Sequence, residues 1–519
     1  MSARSLLTGL VLAGPILAGI WTGGASAAPP RSASIRDPDT KAWWQIAEVL
    51  SSDAMEGRDI GSPGYDRAAD IVVQKFKAAG LKPAGDPNGK GAGWFQVFSV
   101  HEVKVEDASF STAPTGADAG KPIEFLRQIT VRPTERLPKD LQGGLTFRGY
   151  CGPKDVADAS GKVIVCFNTK RAGLPSAAQR VAAAEKAGAI GLIQVDDPYF
   201  SIEPPRWPAA YARAVTIAGS PQPTAPSLAV MTMSAEAFGD LAKSAGKDPD
   251  AILKLGGTSQ ALPAFDIPRR LTAHFRVTTR DYTAKNVLGV LPGRDPALKN
   301  QYLVLSAHLD GYGYGEPVNG DNLYNGALDD AAYVGTLIRF ADKHKGKPLR
   351  RSVVIAAFTG EEKGLLGAHW FVDHPTVPKA AIVADINLDQ LRPLFPLELM
   401  TELAVDDTTL GRTSREVAGS MGIRIQPDPE PERSLLTRAD HWPFMQAGIP
   451  ATGFIFGYEP GTDAEKRYRE WYQVRYHRPQ DDLTQPMDFQ AAGKFNRFFY
   501  KLAETVADAD AKPTWTKAR

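Results

Sequence analysis

The chain has 519 residues, more than one domain usually contains, so we expect two or three folding units. Apolar residues make up 43% and charged residues 23%, a composition typical of a globular protein. The net charge of +1 argues against nucleic acids and anionic membranes as partners, because both are recognised by a basic surface.

Residues 1–27 have the pattern of a cleavable export signal. Arg4 precedes an apolar run over residues 6–21, and Ala25-Ser26-Ala27 fits the small-x-small site of a signal peptidase. A membrane anchor is the alternative, but Gly and Pro interrupt the run, which is shorter than the ~20 apolar residues that a span needs. We therefore expect an exported protein, periplasmic or secreted.

The segment 37–104 is predicted to be the N-terminal part of the main domain. Apolar residues recur at helical spacing over residues 37–50 and again over 65–79, and Gly80 is placed to end the second helix. The loop between these helices, residues 56–64, is rich in Gly, Ser and Pro.

Residues 105–268 have a different pattern and are predicted to form an inserted, β-rich domain. Short β-like runs dominate, and a strand at 161–166, a helix at 176–187 and a strand at 190–195 predict a βαβ unit. Cys151 and Cys166, the only cysteines, fit either a disulfide in an exported chain or two buried thiols. Neither has the context of a catalytic thiol.

From 269 to 508 strands and helices alternate, and we expect the core of the protein there. Continuous apolar runs predict strands at 286–291, 302–306, 352–358, 380–388 and 451–456. Such runs indicate strands covered on both faces, so we predict an α/β three-layer sandwich with a mostly parallel central sheet. Residues 509–519 are predicted to be a disordered tail.

Residues that can bind metal follow these predicted strands at their carboxyl ends. They are His308, Glu361, Glu362 and Asp389. Asp329 lies at the start of a predicted helix, after a loop rich in Gly and Asn. Because ligands of open α/β sheets gather at the carboxyl ends of the strands, we expect these side chains at one rim of the sheet.

Two histidines, His308 and His477, together with three carboxylates suit zinc or manganese better than they suit thiolate chemistry. A shared aspartate allows two cations to lie roughly 3.5–4 Å apart with a water between them. Glu361, next to Glu362, is then placed to take the proton of that water. Asp310, two residues after His308, is predicted to accept a hydrogen bond from its imidazole.

Five strings in this order resemble the successive metal motifs of the M28 family of zinc aminopeptidases. They are Ser306-Ala-His-Leu-Asp310, Gly326-Ala-Leu-Asp-Asp330, Phe358-Thr-Gly-Glu-Glu362, Asn387-Leu-Asp389 and Tyr476-His-Arg-Pro-Gln-Asp481. The resemblance covers residues 270–505, and the helices within 40–80 resemble the N-terminal portion of the family.

The resemblance implies two zinc ions, with Mn²⁺ or Co²⁺ as substitutes, and five ligands. They would be His308 and Asp389 on one ion, Glu362 and His477 on the other, and Asp329 between the two. Glu361 would be the general base and acid, and Tyr476 would donate to the oxyanion. A purely structural aromatic is the alternative for Tyr476.

The middle segment resembles a protease-associated (PA) domain, through Gly161-Lys-Val-Ile-Val and residues 187–193. The resemblance implies that this domain shapes access to the site without chemistry of its own. Residues 168–172 replace the expected Arg-Gly stretch. Gln390 and the long loop 311–324 also depart from the M28 pattern; neither is expected to touch the ligands, and both bear on substrate preference.

We therefore expect a di-zinc aminopeptidase that hydrolyses N-terminal peptide bonds. A carboxypeptidase of the same fold is the first alternative, and it would need a cationic pocket for which Arg392, Arg433 and Arg438 are candidates. A single-zinc glutaminyl cyclase and a non-catalytic zinc-binding module are further alternatives. His441 is expected behind the ligands or in the substrate pocket, and Asp440 as a helix N-cap.

Overall fold

The computed structural model describes residues 31–89, 91–117, 119–200, 212–221 and 224–517, so the predicted export signal lies outside the described part. The helices are α1 (Pro38–Leu50), α2 (Pro63–Ala78), α3 (Ala177–Lys186), α4 (Ala235–Ser244), α5 (Pro249–Gly257), α6 (Ala332–His344), α7 (Leu366–Asp373), α8 (Leu410–Gly419), α9 (His441–Gln446), α10 (Asp463–Val474) and α11 (Phe489–Asp508).

The strands up to residue 291 are β1 (Lys82–Pro83), β2 (Phe95–Pro114), β3 (Lys121–Ile123), β4 (Ile129–Val131), β5 (Asp140–Arg148), β6 (Val163–Asn168), β7 (Gly191–Asp196), β8 (Arg213–Ile217), β9 (Ala229–Met233) and β10 (Ala264–Leu291). The later strands are β11 (Tyr302–His308), β12 (Gly313–Val318), β13 (Asp321–Tyr324), β14 (Ser352–Phe358), β15 (Ile382–Asn387), β16 (Leu399–Glu402), β17 (Arg424–Gln426), β18 (Ala451–Thr452) and β19 (Phe454–Phe456).

The core is the predicted sandwich around a mostly parallel sheet. Its strands lie in the order β18-β15-β11-β14-β10, and all neighbouring pairs are parallel except β14 with β10. Alternate residues of each strand face opposite sides: Leu303 and Leu305 pack against α1, α6 and α11, whereas Val304 packs against α7 and α9. These strands are mostly apolar because helices cover both of their faces.

The first two helices begin where the sequence places their signals. Asp37 caps α1 by accepting a hydrogen bond from the Thr40 backbone N–H at 2.8 Å, and Ser62 caps α2 by accepting from Tyr65 at 3.1 Å. A proline fills the first turn of each helix, where its missing N–H costs nothing.

The β-rich region is joined to the core through two long strands, β2 and β10, which pair antiparallel along most of their length. The boundaries predicted at 105 and 268 both fall inside these strands, so a single 14-stranded sheet runs through both regions. The predicted βαβ unit is present as β6-α3-β7, with its two strands parallel. Cys151 and Cys166 form a disulfide.

Two expectations about the C-terminal part were wrong. The apolar run 451–456 is split into β18 and β19, which belong to different sheets. Residues 509–517, predicted to be disordered, pack along the core: Trp515 donates to the Gly448 carbonyl at 2.7 Å and Thr514 to the Thr409 hydroxyl at 3.0 Å. Within the described residues, no helix combines the length and apolarity needed to cross a membrane.

Candidate metal centre

The carboxyl edge of the parallel strands brings the predicted residues together. His308 is the last residue of β11 and is level with Phe358, the last residue of β14. Glu361 and Glu362 follow β14 within a single turn of 3₁₀ helix, and Asp389 lies two residues after β15. The predicted gathering at one rim is therefore present.

These side chains form two overlapping groups that share Asp329. In one group, ligand atoms of His308, Asp329 and Asp389 all lie within 4.8 Å of one another, and in the other those of Asp329, Glu362 and His477 do. The His308 Nε2 atom is 3.3 Å from one oxygen of Asp329, and the His477 Nε2 atom is 3.5 Å from the other. One carboxylate thus faces both imidazoles.

Asp481 holds the loop that carries Asp329. Its two carboxylate oxygens accept hydrogen bonds from the backbone N–H groups of Leu328 and Asp329, both at 3.0 Å, and the Gln485 amide donates to it at 2.6 Å. The sequence analysis includes Asp481 in a motif but does not predict this role. The position of Asp481, four residues after His477, is the feature that could have indicated it.

Arg58, also missed by sequence reasoning, reaches the site from the loop between α1 and α2. Its side chain is fully buried and its guanidinium donates to the backbone carbonyls of Leu50, Leu309, Asn325 and Gly326, at 2.7 to 2.9 Å. Gly57 permits this approach, because a Cβ there would lie 2.5 Å from the Tyr324 carbonyl oxygen. Arg58 therefore fixes the backbone beside His308 and before Asp329.

The contact predicted between Asp310 and His308 is made by the backbone. The His308 Nδ1 atom is 3.1 Å from the Asp310 carbonyl oxygen and 3.7 Å from its carboxylate. The carboxylate instead accepts from the backbone N–H groups of Glu361, at 3.2 Å, and Glu362, at 3.4 Å. Asp310 thus ties the His308 loop to the loop of the two glutamates.

The loop 311–324 does touch the ligand set, contrary to the prediction. It folds into the hairpin β12–β13, and the Tyr312 hydroxyl lies 3.1 Å from the Nδ1 atom of His477.

Tyr476 stacks on the neighbouring His477 ring, with 3.6 Å between the ring centroids. Arg438 donates to the Tyr476 hydroxyl at 3.0 Å, which places a cation beside the site. Arg392 is fully buried, donates to backbone carbonyls and lies 3.6 Å from the Asp329 carboxylate. Arg433 donates to Glu430 and to a tyrosine hydroxyl.

Asp440 is at the N-cap position of α9 but does not cap it, because its side chain makes no hydrogen bond to that helix. Both carboxylate oxygens are buried and lack a hydrogen-bond partner among the described residues. Burial, with the nearby Asp310 and Asp389 carboxylates, raises the pKa of Asp440 well above its ordinary value. His441, the next residue, is fully buried.

The electrostatics of the cluster are those of crowded, buried carboxylates. Burial raises the pKa of Glu361 well above its ordinary value, and the nearby carboxylates of Asp389 and Glu362 raise it further. Burial, with the Asp329 carboxylate, raises the pKa of Asp389 to about 6. Burial alone would lower the pKa of His308, but the carboxylates of Asp330 and Glu361 outweigh it and raise that pKa.

A divalent cation fits this donor set. The Nε2 atom of His308, one oxygen of Asp329 and one oxygen of Glu362 are buried without a hydrogen-bond partner among the described residues. Buried polar atoms are normally satisfied, so these three are best explained as ligand atoms. Imidazole and carboxylate donors around a tetrahedral position are the set that zinc takes.

The sequence is similar to parts of several curated proteins. Leupeptin-inactivating enzyme 1 of Streptomyces exfoliatus is 26% identical over 215 residues, which are 40% of this chain and 45% of that enzyme. The chain matches about half the length of the curated relatives.

Solved structures share the fold over nearly the whole chain. The aminopeptidase from Aneurinibacillus sp. strain AM-1 has a TM-score of 0.59 at 16% identity, covering 92% of this chain and 96% of that one. BSAP, a zinc aminopeptidase from Bacillus subtilis, has a TM-score of 0.57 at 18% identity, covering 91% and 96%. The sheet and the cluster at its edge thus define an α/β protein with the fold of these aminopeptidases. Residues 286–503 match the model of peptidase family M28, and this part of the chain is an M28 peptidase domain.

Proposed function

We propose that the protein is a di-zinc aminopeptidase that hydrolyses the N-terminal peptide bond of its substrate. The observation that carries the proposal is the pair of ligand groups sharing Asp329, with Glu361 beside them. His308 and Asp389 would hold one ion, Glu362 and His477 the other, and Asp329 both. Two bound zinc ions would supply a Lewis acid for the carbonyl and lower the pKa of the attacking water.

Glu361 is the proposed general base and acid. It belongs to a third group with His308 and Glu362 whose donor atoms lie within 4.8 Å of one another, so its carboxylate is within reach of the same centre. The raised pKa of Glu361 suits a carboxylate that accepts a proton from water and returns it to the leaving amine. Tyr476, whose hydroxyl accepts from Arg438, would donate to the developing oxyanion.

The aminopeptidase assignment is favoured over a carboxypeptidase by the cations around the site. A carboxypeptidase must bind a terminal carboxylate, and Arg392 and Arg433 are both held by groups of the protein itself. Of the two candidates at the site, Arg392 is fully buried with its guanidinium 3.6 Å from the Asp329 carboxylate, and Arg438 contacts Tyr476. The two solved neighbours are named as aminopeptidases as well.

Export, with cleavage after about Ala27, is part of the proposal. It is supported by the signal-like pattern of the first residues and by the Cys151–Cys166 disulfide, because disulfides persist in oxidising compartments. The PA-like character of the β-rich region also remains a proposal, supported by the β6-α3-β7 unit.

The test is hydrolysis of free and N-acetylated aminoacyl and dipeptide substrates by the mature protein, with and without a chelator, together with its metal content. We expect chelator-sensitive cleavage of the free-amine substrates only, with two zinc ions per chain. Cleavage that ignores the N-terminus and needs a free carboxylate would assign a carboxypeptidase. Bound zinc without any turnover would indicate a non-catalytic zinc-binding module.

A further inference from the structure

A cavity of about 830 Å³ lies between the β-rich region and the loop that carries Glu362, and we call it the junction cavity. The β-rich region contributes most of its wall, including residues 130–133, helix α3 and the start of β8. Glu362 and Lys363 form the wall on the side of the core. The volume is in the range of about 300–1,000 Å³ that holds ligands of drug-like size, or a few amino-acid residues.

The junction cavity borders the candidate metal centre. Glu362 lines it and also lines a second cavity of about 10 Å³ together with Asp329 and His477. That smaller space is the size of a water or an ion. A substrate whose carbonyl lies at the metal centre therefore has room for further residues on the junction-cavity side of Glu362.

The walls of the junction cavity favour an anionic ligand with apolar parts. Its apolar surface includes Ala178 and Ala182 of α3. Three cations line it, at Arg132, Arg213 and Lys363. The carboxylates that line it are those of Glu362 and Glu185.

Most of those charges are already committed to other groups. Glu362 is a proposed metal ligand, and Glu185 accepts hydrogen bonds from the backbone and the hydroxyl of Ser227, at 2.6 and 2.9 Å. Arg213 is paired with Asp59 and Glu102. Lys363 lies directly after Glu362 on the core side, close to the Asp59 carboxylate. Arg132 is exposed on the β-rich side, so an incoming carboxylate would meet a cation there.

We propose that the junction cavity binds the part of a peptide on the carboxyl side of the scissile bond and favours a carboxylate there. The inference rests on the proposed function and names its substrate class: peptides of several residues, rather than dipeptides, with an acidic group downstream. That group is either a Glu or Asp side chain or the terminal carboxylate of a short peptide.

The first experiment fills the cavity from an exposed helix face. Ala182 is exposed on α3 and lines the cavity, and Lys186 is exposed one turn later and does not. We expect Ala182→Trp to lower kcat/KM for hexapeptides by about ten-fold while hydrolysis of aminoacyl p-nitroanilides is unchanged. Lys186→Trp is the matched control and should change neither.

The second experiment tests the charge preference. Parental enzyme should cleave hexapeptides with Glu downstream faster than those with Lys, and Arg132→Glu should reduce that ratio about two- to five-fold, with Arg132→Lys retaining it. Comparing free-acid with C-terminally amidated peptides separates a side-chain carboxylate from the terminal one.

Binding to the Glu361→Gln protein, measured by calorimetry with the same hexapeptides, gives a readout that does not depend on turnover. Weaker hexapeptide binding after adding Ala182→Trp supports the inference. Equal binding, or no binding of hexapeptides at all, overturns it. Failure of the proposed function is a separate result, namely no chelator-sensitive hydrolysis of the anilides by the parental enzyme.

Discussion

Two clusters of buried charged side chains lie near Asp59. Carboxylates crowd together in one of them and are paired with arginines in the other. At the metal centre, burial raises the pKa of both Glu361 and Glu362. The nearby Glu362 carboxylate raises the pKa of Glu361 further, and the Asp329 carboxylate raises that of Glu362. At the junction with the β-rich region, Glu102 is held instead by two arginines, at positions 213 and 280.

The two clusters differ in whether the protein's own side chains neutralise their carboxylates. Burial alone would raise the pKa of Glu102, but Arg213 and Arg280 outweigh it and lower that pKa to about 2. The junction cluster is therefore complete without a ligand. The metal centre has an excess of anions, which a bound cation would neutralise.

The matches to known proteins also differ between the two regions. The M28 family model covers residues 286–503, where the metal centre lies. The fold of solved aminopeptidases covers 92% of the chain at 16% identity, so it includes the β-rich region.

The largest expected effect is at the metal centre. Glu361→Gln removes the proposed base but none of the five proposed ligands, so kcat should fall by about 10²- to 10⁴-fold while zinc stays bound. Activity and metal content measured on the same sample check this. Parental turnover by the variant would show that Glu361 is not the base.

Two glutamates outside the metal centre, Glu402 and Glu102, should contribute to stability with opposite dependences on pH. Glu402 is buried with only the Ser414 and Thr452 hydroxyls donating to it, and burial raises its pKa to about 7. Its contribution to stability is present below its ordinary pKa of 4.5 and is lost as the pH rises to 7, by up to about 3 kcal/mol. Glu402→Gln should therefore raise the melting temperature at pH 8 and leave it nearly unchanged at pH 4.5.

Glu102 is the matched comparison at the junction. Because its pKa is lowered, its contribution is present above the ordinary value and is lost as the pH falls towards 2. Glu102→Gln should lower the melting temperature at pH 8, where Glu402→Gln raises it. Calorimetric unfolding of both variants at several pH values measures the two signs, and equal signs would contradict the comparison.

The next effect concerns the residue that orients the shared ligand. Asp481→Ala removes the acceptor of the Leu328 and Asp329 N–H groups, so zinc affinity should fall by about 10- to 100-fold, as for other groups that orient ligands. Competition with a chelator measures the affinity. Asp482→Ala, at the neighbouring half-buried position, should leave it unchanged.

The smallest effect tests whether the two clusters are linked. Arg213 contacts Asp59, which follows Arg58 and pairs with Gly311 in the His308 loop. Arg213→Met should therefore weaken zinc binding by less than about ten-fold. Arg280→Met is the control, because Arg280 shares Glu102 but is 53% exposed. Equal effects of the two variants on zinc affinity would show that the two clusters are not coupled through Arg213.

The sequence predicted the parts of the site that depend on strand ends. His308, Glu361, Glu362 and Asp389 follow apolar runs whose parallel pairing brings their ends to one rim, so local pattern was sufficient. The packing of residues 509–517 was not predictable in this way, because it depends on Trp515 reaching a distant carbonyl.

Long-range contacts explain the remaining omissions. Arg58 is 251 residues from Leu309, and Tyr312 is 165 residues from His477. The predicted boundaries at 105 and 268 lie inside β2 and β10, whose long-range pairing with each other carries one sheet through both regions.

The four carbonyl contacts of Arg58 have a consequence for how the chain is made. Its partners at Asn325 and Gly326 are 267 and 268 residues further along the chain. At about 5–20 residues per second, a ribosome needs roughly 13 to 54 s to add them after it has added Arg58. During that time the guanidinium has no native partner at those two positions. A fragment that starts at residue 286 would contain all five proposed ligands and still lack the group that holds their loops in place.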